Sequence, residues 1–321
     1  MTAVYSRINK FFFQEEDYST IGLIRILAAG VIFMSLVNDI PFLNDYYSSD
    51  GLLSGHTELM RSEYRFSLLD YFGSPYQIAI LYAILILAAL MLLLGIFTRF
   101  SGIITLILLA SFHESNVFVL DSAETLMRLM IFYLILAPSG KCCSLDAIRK
   151  RKKLSPKRFK EWQRGPIWPR RLMQIQLAIV YLFAFLPKTG HTWKDGTAVY
   201  YFLANMHFAR FDFHFLSNFM PLVRSMTYSA LAIELLFPIL IWFKSIRPYI
   251  NISSILLQLS ILISPNIIFF SLIMLVAHLS FIEPEVIDKA INRSKAVNRG
   301  IRKRTSDKLA DIYKKYKKIG F

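Results

Sequence analysis

The sequence predicts an all-α protein, a polytopic transmembrane helical bundle of about eight spans with both termini cytoplasmic. Three observations carry that expectation. Of 321 residues, 55% are hydrophobic and only 18% charged, with a mean hydropathy of +0.44, whereas a soluble domain has about 25% charged residues. The charges are clumped, which leaves several windows of about twenty residues nearly free of them. The basic residues gather between those windows, as the positive-inside rule requires. At this length one membrane bundle is the natural unit, and no second globular domain is visible.

The elements follow in order. The cytoplasmic N-terminal segment 1–19 lacks the charged, apolar, small-residue order of a cleaved signal, so targeting is expected to rest on the first span. Spans are predicted at 20–40, 77–97, 101–115, 122–138, 170–187, 226–243, 250–264 and 266–281. Some are short against the roughly 20 residues a crossing helix needs, which fits tilted, broken or re-entrant pieces. Ser264, Pro265 and Asn266 alone separate the last two, which read as two spans or as one kinked hairpin. The membrane domain covers 20–282, and a basic cytoplasmic tail, 283–321, follows it. Within that tail, 287–319 alternates charge with Ile, Leu, Ala and Tyr, the pattern of an amphipathic helix on the inner leaflet.

The net charge of +15 would suit nucleic acid, but its placement excludes that partner. Of 37 Lys and Arg, 29 fall in the predicted inner segments, 6 in the outer ones and 2 within spans. That bias orients the bundle. The inner basic loop 139–171 is read as topogenic and as a site for anionic membrane lipids. Cys142 and Cys143 are adjacent within it and offer neither a disulfide framework nor metal-ligand spacing. They are plain thiols or sites of reversible acylation. The outer segments 41–76 and 188–225, rich in aromatic and turn residues, are expected to be ordered loops at the interface.

Ionisable groups inside spans are costly and need a partner or a task. Arg25 lies one turn into the first span. Arg128 lies in the fourth, four residues after Glu124, and Glu234 lies mid-way along the sixth, near Pro238, which frees a backbone carbonyl. Gln174, Gln176 and Gln258 are milder cases. Two readings stay open: Arg25 or Arg128 pairs with Glu234 and fixes the helix arrangement, or these groups line a pocket. His113, Glu114, Ser115 and Asn116 crowd the outer end of the third span, while His191, His207 and His214 are assigned to the outer face. None has HxxxH or HExxH spacing, so no metal is predicted. A pocket for a flat, amphiphilic quinol or phenol fits these residues better.

Residues 180–202, VYLFAFLPKTGHTWKDGTAVYYF, place Lys188 where hydrocarbon gives way to headgroups. An amine desolvated there gives up its proton more readily than one in water and becomes a usable base. The plainer reading is a snorkelling lysine with Trp193 as an interfacial anchor.

Several segments together resemble the HTTM family, the membrane domain shared with vitamin K-dependent gamma-glutamyl carboxylase. They run in family order across about 18–282: IGLIRILAAGVIF, LLLGIFTRFSGIITL, SFHESNVFVLDSAETLMRLMIFYLILAPSG with KCCSLD, QLAIVYLFAFLPKTGHTWKDGTAVYYFL, and SALAIELLFPILIWFKSIRP with a closing pair of spans. The most specific piece is Lys-x4-Trp-x2-Gly-x3-Tyr at Lys188, Trp193, Gly196 and Tyr200.

In that carboxylase the lysine of the motif deprotonates vitamin K hydroquinone, so the resemblance implies a base role for Lys188 and a quinol such as reduced vitamin K as cofactor. It also implies a second catalytic residue at His113 and pocket residues at Asn116, Trp193, Tyr200, Glu234, Arg25, Arg128 and Gln258. The carboxylase differs at three points. It has a histidine where Gln258 aligns, its Asn-His pair matches His113–Asn116 only approximately, and a large lumenal region follows its membrane domain. The resemblance therefore implies a bacterial cytoplasmic-membrane protein with a carboxylase-like fold, which uses a quinol-like lipid to modify or mature a secreted peptide. Stand-alone members also include maturation factors for a secreted bacterial toxin, of the SdpB type. The alternative is a non-catalytic maturation or partner protein whose polar spans bind another membrane subunit. A transporter is disfavoured, because no inverted repeat or paired broken helices stand out.

Overall fold

The computed structural model describes residues 2–49, 51, 66–116, 118–119, 121–205, 210–263, 267–289 and 293. The chain divides into two units, Met1–Phe281 and Ile282–Phe321. The first unit is mostly helical. The linker 264–266, His207 and most of the expected tail helix lie outside the described residues.

After a 12-residue helix, Thr2–Phe13, eight helices build the bundle of the first unit among the described residues: α1 Ser19–Asp39, α2 Pro75–Leu94, α3 Thr98–Ser115, α4 Ser122–Leu136, α5 Trp168–Phe185, α6 Met220–Leu240, α7 Arg247–Ile263 and α8 Ile268–His278. Their bounds lie close to the apolar runs, and the shifts have local causes. Helix α2 begins at Pro75 because Ser74 and Gln77 form a reciprocal capping box ahead of it. Asp121 and Glu124 do the same for α4. Helix α6 starts at Met220, ahead of the apolar window, where Pro221 occupies a first-turn position that needs no N–H donor. Helix α2 stops at Gly95, which takes the left-handed conformation at φ +73°.

Each of the pairs α1–α2, α2–α3, α3–α4, α5–α6, α6–α7 and α7–α8 packs side by side, and α8 also lies against α1, α4 and α5. Helix α8 thus touches both the first four helices and the rest, and α4 also packs directly on α5. The neighbours of α8 bury Ile273, Met274 and Ala277, whereas Leu87, Ile103 and Leu256 on other helices face outward. An apolar outward face is what a lipid-facing bundle presents. Three stretches of the described residues are long and apolar enough to cross a membrane: Ser19–Tyr47, Pro75–Leu94 and His214–Leu240. Arg247–Ile263 and Ile268–Phe281 are shorter apolar helices.

The structure departs from the sequence reading at three places. A two-stranded antiparallel sheet, absent from the all-α expectation, pairs β1 (Glu15–Asp17) with β2 (Arg164–Pro166). It is held from outside by the Tyr18 hydroxyl donating to the Pro166 carbonyl at 3.2 Å and by the Arg170–Glu16 ion pair. Burial, with the nearby Glu16 and Glu15 charges, pushes the Tyr18 phenol up to about 12.

Arg25, fully buried, pairs with no carboxylate among the described residues. Its guanidinium donates to the Leu92 carbonyl at 3.0 Å and the Cys143 carbonyl at 2.6 Å. Leu92 lies in the last turn of α2, where the dipole is negative, and its carbonyl accepts the guanidinium beside the Gly95 N–H, so a cation is solvated there by backbone. A Cβ on Gly95 would collide with that guanidinium.

Arg128 pairs with Glu114, from α3. Glu124 is not its partner because that carboxylate turns back to accept the Asp121 N–H at 3.0 Å. Neither arginine therefore meets Glu234.

Candidate active site at the end of helix α5

Helix α5 ends ahead of Pro187, and the chain turns with the Lys188 N–H donating to the Phe185 carbonyl at 3.0 Å. The Lys188 side chain folds back onto α6 and donates to both carboxylate oxygens of Glu234. Only 21% of the lysine side chain and 9% of the glutamate side chain are exposed. The Trp193 ring covers the amine with its face, 4.7 Å from Nζ to the ring centroid. Lysine, glutamate and tryptophan thus form one enclosed cluster. Pro238, four residues on, offers no N–H to the Glu234 carbonyl.

The rest of the Lys-x4-Trp-x2-Gly-x3-Tyr motif fastens this cluster to α6. Trp193 stands on a short helix, His191–Lys194. The Lys194 carbonyl accepts the Tyr228 hydroxyl of α6 at 2.9 Å. Asp195 closes that helix by accepting the Thr197 hydroxyl at 2.6 Å and the Thr197 N–H at 2.9 Å. The Thr197 hydroxyl, then its N–H, hold the Asp195 carboxyl below the usual carboxylate range. Gly196 has φ +82° and lies so close to Arg224 and Tyr228 that an added Cβ would meet both within 3.1 Å. The Val199 N–H reaches the Thr227 hydroxyl at 3.3 Å. Tyr200 packs against a small core of Leu203, Leu216 and Val223. One helix, α6, therefore supplies both the counter-charge and the bracing.

Two turns before Lys188 on α5, Tyr181 enters a second, wholly buried polar cluster. Gln258 of α7 donates its amide N–H to the Tyr181 oxygen at 3.2 Å, and the tyrosine hydroxyl meets His278 Nε2 of α8 at 3.1 Å. His278 Nδ1 faces the Met274 carbonyl at 2.7 Å, so in the neutral ring Nδ1 carries the proton and Nε2 accepts. Ser254 Oγ also lies 3.1 Å from Nε2. The Phe237 ring, one turn beyond Glu234, lies 4.2 Å from the Tyr181 ring and 5.6 Å from His278, centroid to centroid. Gln258 Oε1 is buried and has no partner among the described residues.

The expected site residues thus fall into separate groups. Lys188, Trp193 and Glu234 come together, with Tyr200 as support. Gln258 sits deeper, with Tyr181 and His278. His113 is buried beside Arg128 with its Nδ1 unpartnered among the described residues. Asn116 ties the outer turn together, donating to the Tyr46 carbonyl at 2.8 Å and accepting the Phe118 N–H at 2.9 Å. Among the described residues, no hydrogen bond or ion pair joins His113, Asn116, Arg128 or Arg25 to Lys188. His191 and His214 pair with Asp195 and Asp212 near the surface. Sequence reasoning passed over Tyr181 and His278. The signal was available, because an imidazole inside an apolar run, like Glu234, is a polar group that needs a partner or a task.

The HTTM domain matches residues 13–285. The chain belongs to the HTTM family. Both polar clusters and all eight bundle helices fall inside the HTTM match. No curated protein and no solved structure matches the chain.

Proposed function

We propose that this HTTM protein is a membrane enzyme in which Lys188 serves as base toward an aromatic hydroxyl, in the modification or maturation of a secreted peptide. The observation that carries the reading is the enclosure of one amine by a buried carboxylate and an aromatic face at the end of α5. Enclosure strips water from the amine, which is the condition for proton transfer to and from it. The bundle is read as eight spans with both termini in the bacterial cytoplasm, which rests on the distribution of Lys and Arg. That topology puts Lys188 on the outer face, where a secreted peptide is met.

The residues present fit a quinol. The Trp193 face suits a flat ring, Lys188 and Glu234 suit its hydroxyl, and the unpartnered Gln258 oxygen offers a further acceptor deeper in the bundle. When bound, a reduced quinone with oxygen would supply the reducing equivalents behind a base strong enough for a carbon acid. This chain's residues hold the ring, exclude water and move one proton at Lys188 Nζ. His113, lying apart from this cluster, is assigned no step.

The test is consumption of a reduced naphthoquinone by purified protein in lipid nanodiscs, in air. Lys188→Ala should bring consumption to the protein-free rate while the protein still inserts. Full consumption by that variant ends the base reading. A non-catalytic partner protein is the second reading, and the engagement of both Glu234 oxygens with Lys188 favours it, since a saturated ion pair can serve to fix α5 on α6. Under that reading Lys188→Ala changes stability and leaves the quinone untouched.

A further inference from the structure

We infer that Glu234 is the terminal proton acceptor behind Lys188, so that the two residues work as a relay toward a bound aromatic alcohol. The inference rests on the base reading above and adds to it the group that makes the base available.

A lysine that enters the site as an ammonium cannot accept a proton until it has lost one. Among the described residues, the only hydrogen-bond acceptors on Lys188 Nζ are the two Glu234 oxygens. The Trp193 ring occupies another side of the amine and accepts no proton. The lysine and glutamate side chains are only 21% and 9% exposed, so the carboxylate in contact with Nζ is a nearer destination for that proton than bulk water. Moving it from Nζ to the carboxylate converts a buried ion pair into a neutral amine and a carboxylic acid, which cost less to keep away from water.

The step balances. One N–H bond of Lys188 breaks and one O–H bond of Glu234 forms. The ligand's O–H bond then breaks as its proton bonds to Nζ, which leaves an aryloxide beside an ammonium and a neutral Glu234. No electron changes hands. Glu234 acts through Lys188 and is a positioning residue that also stores the proton.

Naphthol is the probe, because it carries one acidic aromatic hydroxyl and cannot go on to quinol chemistry. Naphthol is added to the full-length protein in nanodiscs at neutral pH. Ultraviolet absorbance reads naphtholate, and infrared difference spectra with carbon-13-labelled glutamate read the C=O stretch of a protonated glutamic acid. Both signals should rise together in the wild type. Glu234→Gln should bind naphthol and lose naphtholate by about tenfold or more, and Glu234→Asp should restore part of it.

Naphtholate without a new glutamic-acid band in the wild type overturns the relay and leaves the base reading standing. So does undiminished naphtholate in Glu234→Gln. Absence of naphtholate from the wild type overturns both. The wild-type infrared signal decides the matter even where Glu234→Gln fails to fold.

Discussion

Lys188 and Glu234 meet across α5 and α6, 46 residues apart in sequence, with both carboxylate oxygens on one amine. Removing either partner strands the other in a poorly solvated place. Lys188→Ala and Glu234→Ala should each destabilise the detergent-solubilised protein, and their two losses should sum to more than the loss in the double variant. The coupling expected from a double-mutant cycle is about 1–3 kcal/mol. Denaturant titration followed by circular dichroism measures it, and additive single effects would show that the pair contributes nothing.

Gly196 and Gly190 give a matched comparison on either side of Trp193. Gly196 has φ +82° and no room for a Cβ, whereas a Cβ on Gly190 meets only the edge of Trp193, at 3.9 Å. Gly196→Ala should cost about 1–3 kcal/mol and shift Trp193 emission as the short helix leaves Tyr228. Gly190→Ala should stay within about 0.5 kcal/mol of wild type. Thermal unfolding and tryptophan fluorescence read both.

Arg25 is predicted to tolerate no substitute. Arg25→Met removes one donor from each of the Leu92 and Cys143 carbonyls, of which Leu92 keeps the Gly95 N–H at 3.2 Å, so the loss should be about 1–3 kcal/mol in all. Arg25→Lys carries the charge but not the planar fork that reaches two separated carbonyls, so it should rescue only part of the loss. Equal stability of wild type and Arg25→Met would show that the guanidinium is dispensable.

Within the deeper cluster, Tyr181 should matter more than Gln258. Tyr181→Phe deletes a hydroxyl that accepts from Gln258 and meets His278, leaving the Gln258 amide without its acceptor and His278 Nε2 with Ser254 alone. Gln258→Met removes an oxygen that has no partner among the described residues along with one donor. Melting temperatures in one detergent should therefore fall further for Tyr181→Phe, by a free-energy gap of about 1 kcal/mol. The reverse order would place an unseen donor on Gln258.

Helix positions were legible in the sequence because apolar length and punctuation are local properties. Ser74, Gly95, Asp121 and Pro221 each act within a turn of their own position. The family was legible for a similar reason, since its motifs are short and keep their order. Charge partners were not. Arg25 and Arg128 both needed an anion by rule, and Glu234 was the obvious one. Yet a guanidinium can be solvated by two carbonyls, and Glu124 was already committed to the start of its helix. Choosing among such partners needs the third dimension, as does recognising that Tyr181, Gln258 and His278, on three helices, converge.

The small sheet between β1 and β2 also sets an order of events during synthesis. Residues 15–17 emerge early but cannot pair with residues 164–166 until those have been made, by which time the residues of α1 to α4 have all been synthesised. When that clasp closes, the ends of the first half are joined, and α5 starts at Trp168, just beyond it. The strand that joins the two ends of the first half is therefore synthesised before the helix that leads to Lys188, and a mispaired clasp would be inherited by everything that packs after it.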